Sequence, residues 1–134
     1  ISKSLGNVID PITLAEEFGL DPLRYFLLRE VPFGQDGDFS RGAFVNRLNG
    51  ELADALGNLA NRTLSLIQRN CGGALPAPVE GEMIFPRVRQ LADVVDYLLD
   101  QQLFSVALES VMAGVRDLNV YITEQQPWAL QKTD

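Results

Sequence analysis

The 134-residue sequence contains no histidine and a single cysteine, Cys71. Without histidine neither a Ser/His/Asp triad nor a mixed Cys/His zinc cluster can be assembled, and one thiol allows no internal disulfide. Much hydrolytic and metal chemistry is thereby excluded, and no metal site is expected. Basic residues are also scarce, with 11 Lys and Arg against 18 Asp and Glu and a formal net charge of -7. That balance weighs against binding nucleic acid through its backbone, so any RNA recognition must be local and aimed at exposed bases. Long apolar runs are missing too. No stretch approaches the roughly 20 residues needed to span a bilayer. The opening ISKSLGNVIDP lacks the charged-then-apolar layout of a signal peptide. A cytoplasmic location with no membrane partner is the expectation. The sequence also opens without an initiating Met, which suits a piece of something longer.

What is present is ordinary for a globular protein: 46% apolar and 22% charged residues, enough for one compact core. Asp10 can cap a short helix that Gly19 stops, with Pro11 in its first turn. Asp21 and Pro22 then open a second helix to about Arg29, whose largely apolar surface needs cover. Pro32, Gly34 and Gly37 mark a loop with a short extended piece at Asp38 and Phe39. Ser40 can cap a long helix to about Asn70, with Val45, Leu48, Leu52, Leu56, Leu59 and Leu66 at helical spacing and Gly72 and Gly73 as the stop. A proline-rich connector follows, then a helix marked by Val88, Leu91, Val95 and Leu98. The last helix carries Phe104, Leu108, Val111, Val115, Leu118 and Ile122 on one face until Pro127 ends or kinks it. The predicted fold is all-α: an antiparallel helical bundle over residues 40–134, preceded by a small two-helix sub-domain over residues 1–39.

Two places carry chemistry. Ser2, Lys3 and Ser4, followed by Gly6, put an amine between hydroxyls on a backbone free to turn, which suits a phosphate; a solvated, frayed terminus is the plainer alternative. Asn58, Arg62, Ser65 and Arg69 fall at helical offsets and share one stripe. An amide and a guanidinium can read base edges, and the indole of Trp128 at a helix end can stack on an unpaired base. The competing view makes the stripe a solvated face and Trp128 a staple closing the bundle. Asn119 and Tyr121 are candidates to line the same pocket, although Tyr121 can equally pack with Ile122. Arg24 and Arg29 read as contacts to RNA backbone or as plain solvation of the second helix. The acidic pairs Glu16/Glu17 and Asp36/Asp38 read as helix-end charge and turn chemistry, not as catalytic carboxylates.

ISKSLGNVIDP resembles the KMSKS signature of class I aminoacyl-tRNA synthetases, with Ile1 in place of the Met. DPLRYFLLREVPFGQDGDFS, FVNRLNGELADALGNLANR and LNVYITEQQPWAL are similar to the methionine enzymes of that class, so the resemblance covers essentially the whole chain. It implies that Ser2, Lys3 and Ser4 match positions holding the ATP phosphates, and that Asn58, Arg62 and Trp128 match positions contacting the anticodon bases. It implies recognition of the CAU anticodon of initiator and elongator methionine tRNAs, within an enzyme that joins methionine to tRNA using ATP. The catalytic domain of the same chain, which holds most of the ATP site, would lie upstream, so these residues contain no complete catalytic set and should be inactive alone. A helical module that binds protein, with Trp128 as its anchor, is the alternative from a different class.

Overall fold

A computed structural model describes residues 10–32, 34, 35, 39–77 and 86–130. Among the described residues the regular structure is entirely helical. The expected phosphate residues Ser2, Lys3 and Ser4, and the acidic pair Asp36/Asp38, lie outside them.

Helix α1 (Pro11–Phe18) begins where Asp10 accepts a hydrogen bond from the Ile12 amide at 2.9 Å. It ends at Gly19, whose N–H donates to the Ala15 carbonyl at 2.9 Å. Helix α2 (Leu20–Glu30) starts one residue before the expected Asp21, with Gly19 as its N-cap. The reason is backbone geometry: Gly19 sits at φ 92°, which a residue with a Cβ rarely adopts, so one glycine both closes α1 and opens α2. Leu23 and Phe26 on α2 are buried, while Leu20, Leu27 and Leu28 are exposed.

Ser40 caps α3 (Arg41–Arg47) through a 3.0 Å bond from the Ala43 amide to its hydroxyl. The helix does not end there. It continues without a break through a ten-residue π-helical stretch, Leu48–Gly57, and then as α4 (Asn58–Asn70). The sequence predicts a helix over this span but not the change of register within it. Gly72 and Gly73 stop it at positive φ, and the Gly73 amide donates back to the Ile67 carbonyl at 3.3 Å. After the short α5 (Pro86–Arg89) come α6 (Leu91–Asp100) and α7 (Phe104–Gln125), reversed on each other by the turn at 101–103.

Helix α7 is the axis of the molecule, packing against α6, α2 and the π stretch. Its expected face, Phe104 to Ile122, is mostly half-buried, with Val115 buried. Ala107, Met112 and Gly114 beside that face are buried as well, because α7 has neighbours on several sides. The best-buried cluster lies elsewhere: Leu14, Leu23, Phe26 and Phe44, with Phe18 and Phe39 packed on it. The Phe44 ring is 0% exposed and meets Phe18 and Phe26 edge-on at 5.0 and 5.1 Å. This one core therefore joins α1 and α2 to the start of the long helix.

Candidate nucleic-acid interface

Helix α7 stops at Gln126, a non-glycine residue in the left-handed region at φ 45°, whose N–H still donates to the Ile122 carbonyl at 3.2 Å. Pro127 cannot extend the ladder, so it opens the four-residue α8 (Pro127–Leu130) in a new direction. The turn brings Trp128 back over α4. The Arg62 Cζ lies 5.5 Å from the Trp128 ring centroid, a cation–π arrangement, and Trp128 remains 46% exposed. Arg62 also donates from Nη2 to the Thr123 hydroxyl at 3.2 Å. That hydroxyl in turn donates to the Asn119 carbonyl at 2.9 Å.

Beside this pair is an open cleft of about 330 Å³, lined by Asn61, Arg62, Ser65, Leu66, Arg69 and Trp128. Two guanidiniums, a carboxamide and a hydroxyl thus face one opening with an indole at its edge. Such a set donates hydrogen bonds and offers a flat ring, which suits an unstacked base or an anionic backbone segment. Arg62, Ser65, Arg69 and Trp128 are brought together here. Asn58 is exposed in the first turn of α4 and does not line the cleft. Asn119 is half-buried, its Nδ2 donating to the Ala55 and Val115 carbonyls at 2.9 and 3.1 Å, and meets the cleft only through Thr123. Tyr121 lines a separate apolar groove of about 550 Å³ with Leu56, Leu59, Leu64, Leu118 and Ile122. Sequence reasoning passed over Asn61, next to Arg62, and Thr123, one turn beyond Asn119. Their only signal is proximity to residues already singled out.

A second polar assembly, sharing no residue with the cleft, ties the helices together. Glu51, in the π stretch, has a side chain only 12% exposed. Its carboxylate accepts from the Tyr25 hydroxyl, from Arg29 Nε at 3.3 Å and Nη2 at 3.1 Å, and from Arg47 Nη1 at 3.1 Å. Arg29 also pairs with Glu109 on α7, Glu109 with Arg116, and Arg47 with Glu30 at 2.9 Å. Burial alone would raise the Glu51 pKa. The bonds from Tyr25 and Arg29, with the charges of Arg29 and Arg47, outweigh it and hold the carboxyl below its ordinary value. Tyr25 is pushed well above its ordinary value, first by burial and then by the bond to Glu51 and its charge. Arg29, at 13% exposure and paired twice, is not free to meet a phosphate, which corrects that expectation. Arg24 is exposed and faces Asp21 at 3.6 Å.

The first 64 residues match the family described as tRNA synthetases class I (M). Along all of its length the chain is 49% identical to the methionine–tRNA ligase of Brucella suis and 45% identical to that of Mycobacterium tuberculosis. It spans 27% of each of those proteins, about a quarter of their length. The structure of Mycobacterium tuberculosis methionyl-tRNA synthetase bound by methionyl-adenylate matches 98% of the chain with a TM-score of 0.90 at 46% identity, and the chain covers 27% of it. The apo form of that enzyme matches 93% of the chain with a TM-score of 0.87 at 44% identity, and 26% of that structure is covered. In sequence and in fold, over the whole of its length, the chain belongs to the methionine–tRNA ligase family of class I tRNA synthetases.

Proposed function

We propose that this chain is the anticodon-reading part of a methionine–tRNA ligase, and that the CAU triplet is read at the cleft between Arg62 and Trp128. The observation that carries this is the Arg62 guanidinium over the Trp128 ring at 5.5 Å, at the edge of an open cleft shared with Asn61, Ser65 and Arg69. Trp128 stacks on one base, a contact worth about 1–3 kcal/mol. Arg62, with Asn58 at the start of α4, donates to base edges. A wrong base leaves the half-buried Arg62 donors unpaired, at about 1–3 kcal/mol, and loses the bond from the exposed Asn58. The net charge of -7 makes base contacts, more than backbone attraction, the source of specificity.

The parent enzyme joins methionine to initiator and elongator methionine tRNAs in the cytoplasm, using ATP through a methionyl-adenylate and releasing AMP and pyrophosphate. Ser2, Lys3 and Ser4 hold ATP phosphates in that reaction, next to a catalytic domain outside this chain. Residues 1–39 connect that loop to the bundle of residues 40–134, and these residues alone do not catalyse the reaction. The test measures binding of tRNA carrying CAU against the same tRNA with the triplet changed. The native chain should prefer CAU by at least about fivefold, the low end for one lost base contact. Trp128→Ala and Arg62→Ala should each remove most of that preference. Equal binding of the two tRNAs by the native chain rejects the proposal.

A further inference from the structure

Arg62 is held at its free end by an acceptor whose own proton is already committed elsewhere. A threonine hydroxyl has one donor and two lone pairs. At Thr123 the donor is spent on the Asn119 carbonyl, one turn back on α7, at 2.9 Å. The oxygen is therefore presented to Arg62 as an acceptor, and Nη2 meets it at 3.2 Å. A guanidinium carries five N–H donors in a rigid plane, so fixing one edge fixes the direction of the others. The same guanidinium lies over Trp128, and the remaining N–H groups are left for the cleft lined by Asn61, Ser65 and Arg69. Three elements, α7, α4 and α8, are joined by this single chain of contacts.

We propose that Thr123 is a positioning residue for anticodon recognition: its hydroxyl sets the plane of Arg62 before RNA arrives, with one N–H edge anchored on α7 and the face on Trp128. The role rests on the anticodon reading above, because Thr123 touches RNA only through Arg62. An unanchored arginine would have to lose its rotamer freedom on binding, and the anchor removes part of that loss in advance. Thr123 is exposed where α7 faces the cleft end of α4, so replacing it leaves the core intact.

The test uses this chain with Thr123→Val, Thr123→Ala and Thr123→Ser, alone and combined with Arg62→Ala, against CAU and triplet-changed tRNA. Valine keeps the shape and removes the acceptor, alanine removes both, and serine keeps the hydroxyl. Val and Ala should each weaken binding of CAU tRNA by about three- to tenfold, the range for one partly exposed charge-assisted bond. Binding of the triplet-changed tRNA should hardly alter. Serine should restore most of the loss, and Val should add nothing in the Arg62→Ala background. Trp128 is the only tryptophan, so its emission in the free chain gives a readout without RNA: Val and Ala should shift it, and Ser should not. If the native chain prefers CAU and Val and Ala bind it as tightly as native, the role of Thr123 is wrong while the anticodon reading stands. The same holds if their loss persists undiminished without Arg62. If the native chain shows no preference between the two tRNAs, both ideas fall.

Discussion

Replacing Glu51 with glutamine changes one oxygen for an amide at nearly constant volume, so its effect isolates the charge at the junction of α2, the π stretch and α7. Four hydrogen bonds end on the carboxylate: Tyr25 and Arg29 Nε on one oxygen, Arg29 Nη2 and Arg47 Nη1 on the other. With its NH₂ toward Arg29 Nη2 and Arg47 Nη1 the new amide loses both of those bonds; turned the other way it loses the Arg29 Nε bond, Tyr25 becomes the acceptor, and the arginines that remain bonded face a neutral oxygen. A bond to a charged group contributes about 1.5–3 kcal/mol, and stripping a buried pair outright costs about 3–5 kcal/mol. Here Arg29 keeps Glu109 and Arg47 keeps Glu30, so neither cation is stranded. The expected loss is therefore about 2–3 kcal/mol in urea unfolding at neutral pH, and a Tm lower by roughly 6–15 °C. The pH dependence follows in sign from the depressed carboxyl. Its folded pKa lies below the ordinary 4.5, so its contribution is fully present above about that pH and is lost as pH falls through the folded value. The gap between native and Glu51→Gln should hold from neutrality down to about pH 5 and narrow below 4.5. A loss below about 0.5 kcal/mol at pH 7, or a gap as wide at about pH 3 as at pH 7, refutes the reasoning.

Two further substitutions probe the packing. Phe44→Ala empties the centre of the aromatic cluster and should lower stability by about 3–5 kcal/mol in urea unfolding, against less than about 1 kcal/mol for an exposed position such as Leu75. Gly114→Ala runs the other way. A Cβ there would stand 3.6 Å from Leu91 Cδ2 and 3.7 Å from Val88 Cγ2, ordinary contact, so the gain in helix propensity should stabilise the chain by up to about 1 kcal/mol. A loss of more than about 1 kcal/mol in thermal unfolding would mean that α6 and α7 approach more closely than these distances say.

The helix ends were legible because capping chemistry is local. Asp10, Ser40, the Gly72–Gly73 stop and Pro127 each act on backbone groups within a few residues. The start of α2 was displaced by one position because the torsion angle of Gly19, not the carboxylate of Asp21, sets it. Arg62, Ser65 and Arg69 line one cleft because spacing within an α-helix fixes a shared face. Asn58 opens the same α-helix one turn before Arg62, and the cleft does not extend back to it. Glu51 carried no signal at all. A carboxylate among leucines becomes the meeting point of Tyr25, Arg29 and Arg47 only once α2 lies against the long helix, and no pattern in sequence reports that. Arg29 was misjudged for the same reason, since an arginine on a short helix looks solvated until Glu51 and Glu109 are brought to it.

The ten residues wound in the wider register have a consequence for what the long helix can tolerate. A π stretch advances the chain through a smaller angle per residue than an α-helix does, so it offsets the phase of every side chain downstream. Glu51 lies inside it and Arg62 just beyond, hence the azimuth at which Arg62 emerges is set against the ionic junction by that winding. Deleting one residue within it, and so relaxing the turn toward ordinary pitch, would swing Arg62, Ser65 and Arg69 round the axis together and away from the indole. The length of that segment is thus a dial that aligns two distant faces of one rod.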